Sequence, residues 1–156
     1  MLDAPQIVQA TQQMTAVVHL TVARTGIAQV MGPAIGEVMA AIGSQGASPC
    51  GPCFSFHRRR PTDTFDFEVG FPVDRPIPAT GRVYMSALPA ARVVRADYHG
   101  GYEGLGDAWG RLLAWTEQQG LAAQDCLWES YVSGPESGAD PARWCTRLNR
   151  PLLAAD

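Results

Sequence analysis

Between residues 15 and 24, Val18, Leu20 and Val22 alternate with His19 and Thr21. Successive side chains of a strand point to opposite faces, so this run predicts a strand with one buried face. The clearest alternation comes later, where Phe65, Phe67, Val69 and Phe71 are interleaved with Asp66, Glu68 and Gly70. Shorter extended runs fall at 7–9, 54–58, 81–88, 92–98, 127–132 and 144–150. The apolar spacing becomes helical twice. Ile35, Val38, Met39 and Ile42 predict a helix over 33–42, with Pro33 placed in its first turn. Leu105, Trp109, Leu112, Leu113 and Thr116 form one stripe over 102–119, and Gly120 follows as a stop.

The order is strand, helix, strand, strand, and then the same again. This predicts an α+β fold built from a duplicated strand-helix-strand-strand unit. Its antiparallel sheet carries both helices on one face and leaves the other face open to a ligand cleft. The 156 residues suffice for a single domain. Its two pseudo-repeats are expected at 1–75 and 76–156, and three prolines within 72–80 mark the link. Aligning the repeats by their letters sets Phe54 against Glu129 and Phe56 against Tyr131.

Composition narrows the class. With 46% hydrophobic and 17% charged residues the chain reads as an ordinary globular protein. No run resembles the roughly 20 apolar residues of a membrane helix, and no secretory signal is visible at Met1-Leu-Asp-Ala-Pro. A cytoplasmic protein with no membrane partner is the expectation. A net charge of −3 argues against a general nucleic-acid binder. Cys50-Gly-Pro-Cys53 matches a thioredoxin-type motif in its letters, but a helix precedes it and a strand follows. A redox pair needs the reverse order, so that a helix N-terminus lowers the first thiol's pKa; the expected reading is a turn. No second Cys-x-x-Cys or His pair completes a zinc site, and no cofactor motif is present. His19, His57 and His99 are scattered and form no catalytic triad by spacing.

The candidate chemistry lies in Leu127-Trp-Glu-Ser-Tyr-Val132. Strand alternation puts Leu127, Glu129 and Tyr131 on one face and Trp128 on the other. A carboxylate among apolar and aromatic side chains is costly unless something positive or hydrogen-bonding meets it. That partner is either a ligand or an arginine of the chain, such as Arg95 or Arg147. Phe54 and Phe56 are expected beside Glu129 and Tyr131 if the strands are in register. Tyr102 is placed at the cleft's edge or at the helix start, and Trp109, Trp115 and Trp128 are assigned to the core.

Read in order, the chain resembles the GyrI-like small-molecule-binding domain, the effector-binding module of AraC- and MerR-type multidrug-responsive activators. The resemblance runs through Gly51-Pro-Cys-Phe-Ser-Phe-His57, Phe65-Asp-Phe-Glu-Val-Gly-Phe-Pro-Val73, Leu88-Pro-Ala, His99-Gly-Gly-Tyr102, Trp115-Thr-Glu-Gln-Gln-Gly-Leu121, Glu129-Ser-Tyr131 and Thr146-Arg-Leu-Asn-Arg-Pro-Leu152. It implies the duplicated unit described above. It also implies that Glu129 lies at the floor of an aromatic-lined pocket that favours cationic or polar aromatic ligands. Two departures stand out. Arg147 follows Thr146 where the family has an acidic residue, and the module begins at residue 1, without the helix-turn-helix region of the activators.

Two function classes follow. In the first, the chain is a binding module for aromatic or cationic xenobiotics, acting by sequestration or through a partner regulatory protein, with Glu129, Tyr131, Phe54, Phe56 and Tyr102 as ligand contacts. In the second, which the resemblance also admits, it is a hydrolase of reactive electrophiles. Glu129 would then be the general base and Tyr131 a hydrogen-bond donor to the substrate. A gyrase-inhibitor-like role would act through a protein surface that no residue pattern marks.

Overall fold

The computed structural model describes residues 1–154. Among these are eight strands, with the pairings within each unit all antiparallel, and two α-helices, an α+β fold. The strands are β1 (Gln6–Ala10), β2 (Gln13–Ala23), β3 (Phe54–His57), β4 (Thr64–Pro72), β5 (Tyr84–Leu88), β6 (Ala91–His99), β7 (Leu127–Ser133) and β8 (Cys145–Pro151). The helices are α1 (Ile27–Ser44) and α2 (Leu105–Gln118). The chain divides into two compact units, one formed by 11–90 and the other by 1–10 with 91–156.

The unit of 11–90 orders its strands β3-β4-β2-β5. Ala16, Val18 and Leu20 of β2 and Phe67 and Val69 of β4 face α1, where they pack with Ala34, Val38, Ala41 and Ile42. The alternation in the sequence is thus realised as one helix-covered face. The helix starts six residues earlier than the proline suggested, at Ile27, and Pro33 lies inside it. Proline inside a helix removes one backbone hydrogen bond. Here Ile27, Val30 and Met31, from the turns before it, pack against the core and hold the early turns in place. Met39, expected in the buried stripe, is 48% exposed. The longer helix bears on the membrane reading. With its preceding 3-10 turn it spans 21 residues and is apolar enough to cross a bilayer by length and composition, yet four of its residues are core.

The unit of 1–10 and 91–156 orders its strands β1-β6-β8-β7. Val94, Ala96 and Tyr98 of β6, Leu148 of β8 and Leu127 of β7 pack with Ala108, Trp109 and Leu112 of α2. Each unit is therefore the expected strand-helix-strand-strand element with one strand added. The added strand is the N-terminal β1 in this unit and β5 in the other.

Register shows which positions of the two units correspond. Facing α1, Val18, Val69 and Ser55 form one rung, and Leu20, Phe67 and His57 the next. Facing α2, the matching rungs are Ala96, Leu148 and Glu129, then Tyr98, Thr146 and Tyr131. The counterparts of Glu129 and Tyr131 are thus Ser55 and His57, one residue away from the expected Phe54 and Phe56. A slip of one residue exchanges the faces of a strand. Ser55 and His57 repeat the contact of their counterparts, because His57 Nε2 and Ser55 Oγ hydrogen-bond at 3.1 Å. The His57 ring stacks on Phe67 with centroids 5.0 Å apart.

Burial holds the His57 imidazole neutral, with a pKa pushed down to about 4 from 6.5. Below about pH 6.5 the unfolded chain takes up a proton that the native chain refuses. This contribution to stability is therefore complete above that pH and is lost as the pH falls towards 4, by roughly 3 kcal/mol in all. Urea midpoints measured from about pH 7.5 to about 4.5 should drop in the wild type and drop less in His57→Gln; parallel curves would refute the assignment. Gly70 gives a second test. A Cβ there would run into the Ala16 carbonyl and lie 2.9 Å from Val17 Cα, both backbone atoms of β2. Gly70→Ala should destabilise by roughly 3 kcal/mol, read as a fall in Tm.

Candidate functional site

Glu129 sits at the third position of β7, on the face covered by α2, not on the face that no helix covers. Its side chain is partly buried, and each oxygen accepts from one neutral donor. Trp109 Nε1–H of α2 donates to Oε2 at 2.6 Å, and the Tyr131 hydroxyl donates to Oε1 at 2.8 Å. The i, i+2 spacing of a strand puts Tyr131 beside Glu129 on the same face. Trp109 arrives from above because it belongs to the apolar stripe that seats α2 on the sheet.

No arginine meets this carboxylate. Arg147 is turned to Asp97 in a two-point contact, Nε to Oδ1 at 2.9 Å and Nη2 to Oδ2 at 3.2 Å. Arg95 donates to Asn149 Oδ1 at 2.7 Å. Both lie on rungs that face away from α2. The reading of Glu129 as the partner of Arg95 or Arg147 is thereby excluded. Burial pushes the Glu129 carboxyl above the ordinary carboxylate range, and the Trp109 and Tyr131 hydrogen bonds offset part of that rise. The site is a desolvated carboxylate held by neutral donors only, the arrangement in which an arriving cation gains most.

Aromatic rings continue outward from Tyr131. Tyr102 meets Tyr131 edge to face with centroids 6.0 Å apart, and Trp144 lies 5.3 Å beyond Tyr102. Tyr102 opens the 3-10 turn before α2 and is 41% exposed, so it forms the outer edge of this group. Trp144 Nε1–H is anchored on the Gly138 carbonyl at 3.0 Å. Of the five expected contacts, Glu129, Tyr131 and Tyr102 are thus brought together in one unit. Phe54 and Phe56 belong to β3 of the other unit, on the face away from α1. Phe54 is 1% exposed opposite Gly70, and Phe56 lies opposite Glu68.

Two residues of this cluster lie outside the expected contact set. Trp109 was assigned to the core alone, yet it is both core and ligand to the carboxylate; its place on the buried stripe above a strand glutamate was the available signal. Trp144 sits just before β8, after a loop of Gly, Ser, Pro and Asp, and no periodicity reaches it. Among the described residues no group of three or more His, Cys, Asp and Glu could hold a metal. Cys50 and Cys53 are not joined in a disulfide. A groove of about 260 Å³, lined by Met1, Leu2, Tyr98, Asp107 and Arg111, lies at the start of α2 and does not include Glu129.

Removing the charge from Glu129 should separate stability from binding. A raised carboxyl pKa means that ionisation costs stability as pH climbs from the ordinary carboxylate value through the folded one. Glutamine can accept from Trp109 and donate to the Tyr131 hydroxyl, so both contacts survive. Glu129→Gln should therefore melt at or above the wild-type temperature at neutral pH. A fall of several degrees would mean that the carboxylate is a structural element.

The chain was compared with known proteins. The family model described as the GyrI-like small molecule binding domain matches residues 3–151. No curated protein matches the sequence significantly. The C-terminal domain of EcmrR superposes with a TM-score of 0.86 at 20% identity, covering 97% of this chain and 98% of that domain. In the EcmrR–DNA complex the same likeness spans 58% of the EcmrR chain. SAV2435, solved bound to tetraphenylphosphonium, gives 0.71 at 10% identity over 97% of this chain and 95% of its own. A hydrolase from Listeria innocua gives 0.65 at 13% identity over 96% and 91%. At these identities the solved structures establish the shared fold.

Proposed function

Because the chain belongs to the GyrI-like small-molecule-binding family, we propose that Glu129 is the counter-ion for a lipophilic aromatic cation. On this reading the protein acts in the cytoplasm, by sequestering the cation or by signalling its presence to a separate regulatory protein. The observation that carries the reading is the absence of any cation on Glu129 among the described residues, with Trp109 and Tyr131 holding its two oxygens. A delocalised cation seated here would gain the carboxylate's charge. It would also gain the faces of Tyr131, Tyr102 and Trp144, each worth about 0.5–2 kcal/mol. Because Trp109 comes from α2, a ligand reaching Oε2 must loosen that hydrogen bond. Occupation of the site is thereby coupled to the seating of the helix.

Tetraphenylphosphonium is the natural first probe, since a neighbour of the same fold is seen with it. Tryptophan fluorescence should change saturably on titration, and Tm should rise by mass action. Glu129→Gln should weaken binding at least tenfold, about 1.4 kcal/mol or more. Binding should also weaken as the pH falls through the raised Glu129 pKa, because protonation removes the counter-ion. Equal affinity in Glu129→Gln would overturn the proposal.

The hydrolase reading rests on the Tyr131–Glu129 contact, which sets a carboxylate with a raised pKa beside a phenol donor. Glu129 would take a proton from water as it attacks an electrophilic carbon, and Tyr131 would donate a hydrogen bond to the oxygen that gains charge. Incubation with an electrophilic substrate panel, read by mass spectrometry, decides. Product from the wild type and none from Glu129→Gln would favour turnover over binding alone.

A further inference from the structure

The unit of 11–90 contains a second carboxylate of the same construction. Glu68 of β4 is 7% exposed. The Tyr84 hydroxyl donates to its Oε2 at 2.5 Å, and the Ser86 hydroxyl donates to its Oε1 at 2.8 Å. Both donors come from β5, two strands away in the order β4-β2-β5. The sheet must curl for them to reach, and beside Glu68 the backbone of β2 approaches Gly70 too closely for a Cβ. Glu68 shares rungs with His19 and Phe56, on the face opposite α1.

No salt bridge to this buried carboxyl forms among the described residues, although Arg58, which follows β3, is close enough for its charge to act on Tyr84. The nearest candidate across the rung, His19, is turned to Asp66, with Nε2 2.5 Å from Oδ1. Buried carboxylates are rare unless paired. An ionised carboxylate offers about four acceptor positions, and two neutral hydroxyls fill only half of them. Glu68 thus repeats the pattern of Glu129: one neutral donor on each oxygen, an aromatic among the donors and no arginine. Its surroundings differ. Glu129 leads out to three rings, whereas Glu68 is ringed by hydroxyls, with Tyr84 and Phe56 as the adjacent aromatics.

From this arrangement we infer that Glu68, Tyr84 and Ser86 form a second binding site, independent of Glu129, for a protonated primary or secondary amine. The amine N–H groups take the carboxylate's remaining lone pairs, and Tyr84 and Ser86 hold the carboxylate in position to receive them. A cation without N–H, such as tetraphenylphosphonium, satisfies none of these acceptors and is expected at Glu129 only.

The test uses phenethylamine at constant ionic strength. In wild-type protein labelled with 13C, the Glu68 side-chain carboxyl resonance should move saturably during the titration. Affinity by calorimetry should fall at least tenfold in Glu68→Gln and stay within twofold in Glu129→Gln. Tetraphenylphosphonium should show the opposite dependence. If Glu68→Gln fails to fold, the wild-type resonance decides: a saturable shift supports the site and a static resonance overturns it. Amine binding lost in Glu129→Gln but kept in Glu68→Gln would also overturn it, while leaving the Glu129 reading intact. Failure of the wild type to bind tetraphenylphosphonium while it binds the amine through Glu68 would count against the Glu129 reading and leave the amine site standing.

Discussion

The Glu129 site depends on keeping a carboxylate inside a helix-covered layer without giving it a cation. Desolvating a carboxylate is expensive, and the usual remedy is an arginine. Of the arginines on β6 and β8, Arg147 and Arg95, the two expected as partners, are committed elsewhere, to Asp97 and Asn149. What remains for Glu129 is an indole N–H and a phenol O–H. Neutral donors orient the carboxylate and reduce its desolvation penalty but leave its charge uncompensated. The residual electrostatic cost is what a cationic ligand can relieve. A folded domain that retains such a cost gives up stability at that point.

The same contact ties the site to the fold. Trp109 is 7% exposed, belongs to the hydrophobic cluster under α2 and also donates to Glu129. Its ring seats the helix while its N–H reads the carboxylate. A change at the carboxylate is therefore felt by the helix without any intervening element. Coupling of this kind needs a residue shared between the carboxyl group and the scaffold, and Trp109 is that residue.

Much of this was legible in the letters, for a definite reason. Alternation in β2 and β4 is strong because each strand has one face on a helix and another without one, so apolar and polar residues take turns. The duplicated order of elements was visible for the same reason, and the isolated glutamate in β7 stood out against its apolar neighbours. The parts that were hidden depend on distances that a period cannot encode. Pro33 marks a start in local terms, but packing of Ile27, Val30 and Met31 carries α1 back beyond it. Trp109 is identical in pattern to any buried helix residue, and only the spacing between α2 and β7 puts its nitrogen on a carboxylate. Glu68 looked like the polar half of an alternation, and its donors come from a strand two places away in the sheet.

The correspondence between the units carries the final point. Matching letters aligned Phe54 with Glu129, while the strand pairing aligns Ser55 with Glu129 and His57 with Tyr131. The two helix-facing rungs thus hold one architecture with two chemistries. Ser55 and His57 are a neutral pair, with the imidazole held uncharged by burial and stacked on Phe67, so the rung is electrostatically quiet at neutral pH. Glu129 and Tyr131 occupy the same positions with a carboxyl group that only neutral donors meet among the described residues. A duplicated element can keep its packing rules in both copies because apolar residues such as Val18, Val69, Ala96 and Leu148 fill the rest of each rung. The two strand positions that remain are then free to diverge. In one unit they complete a core, and in the other they hold a carboxyl group between two neutral donors.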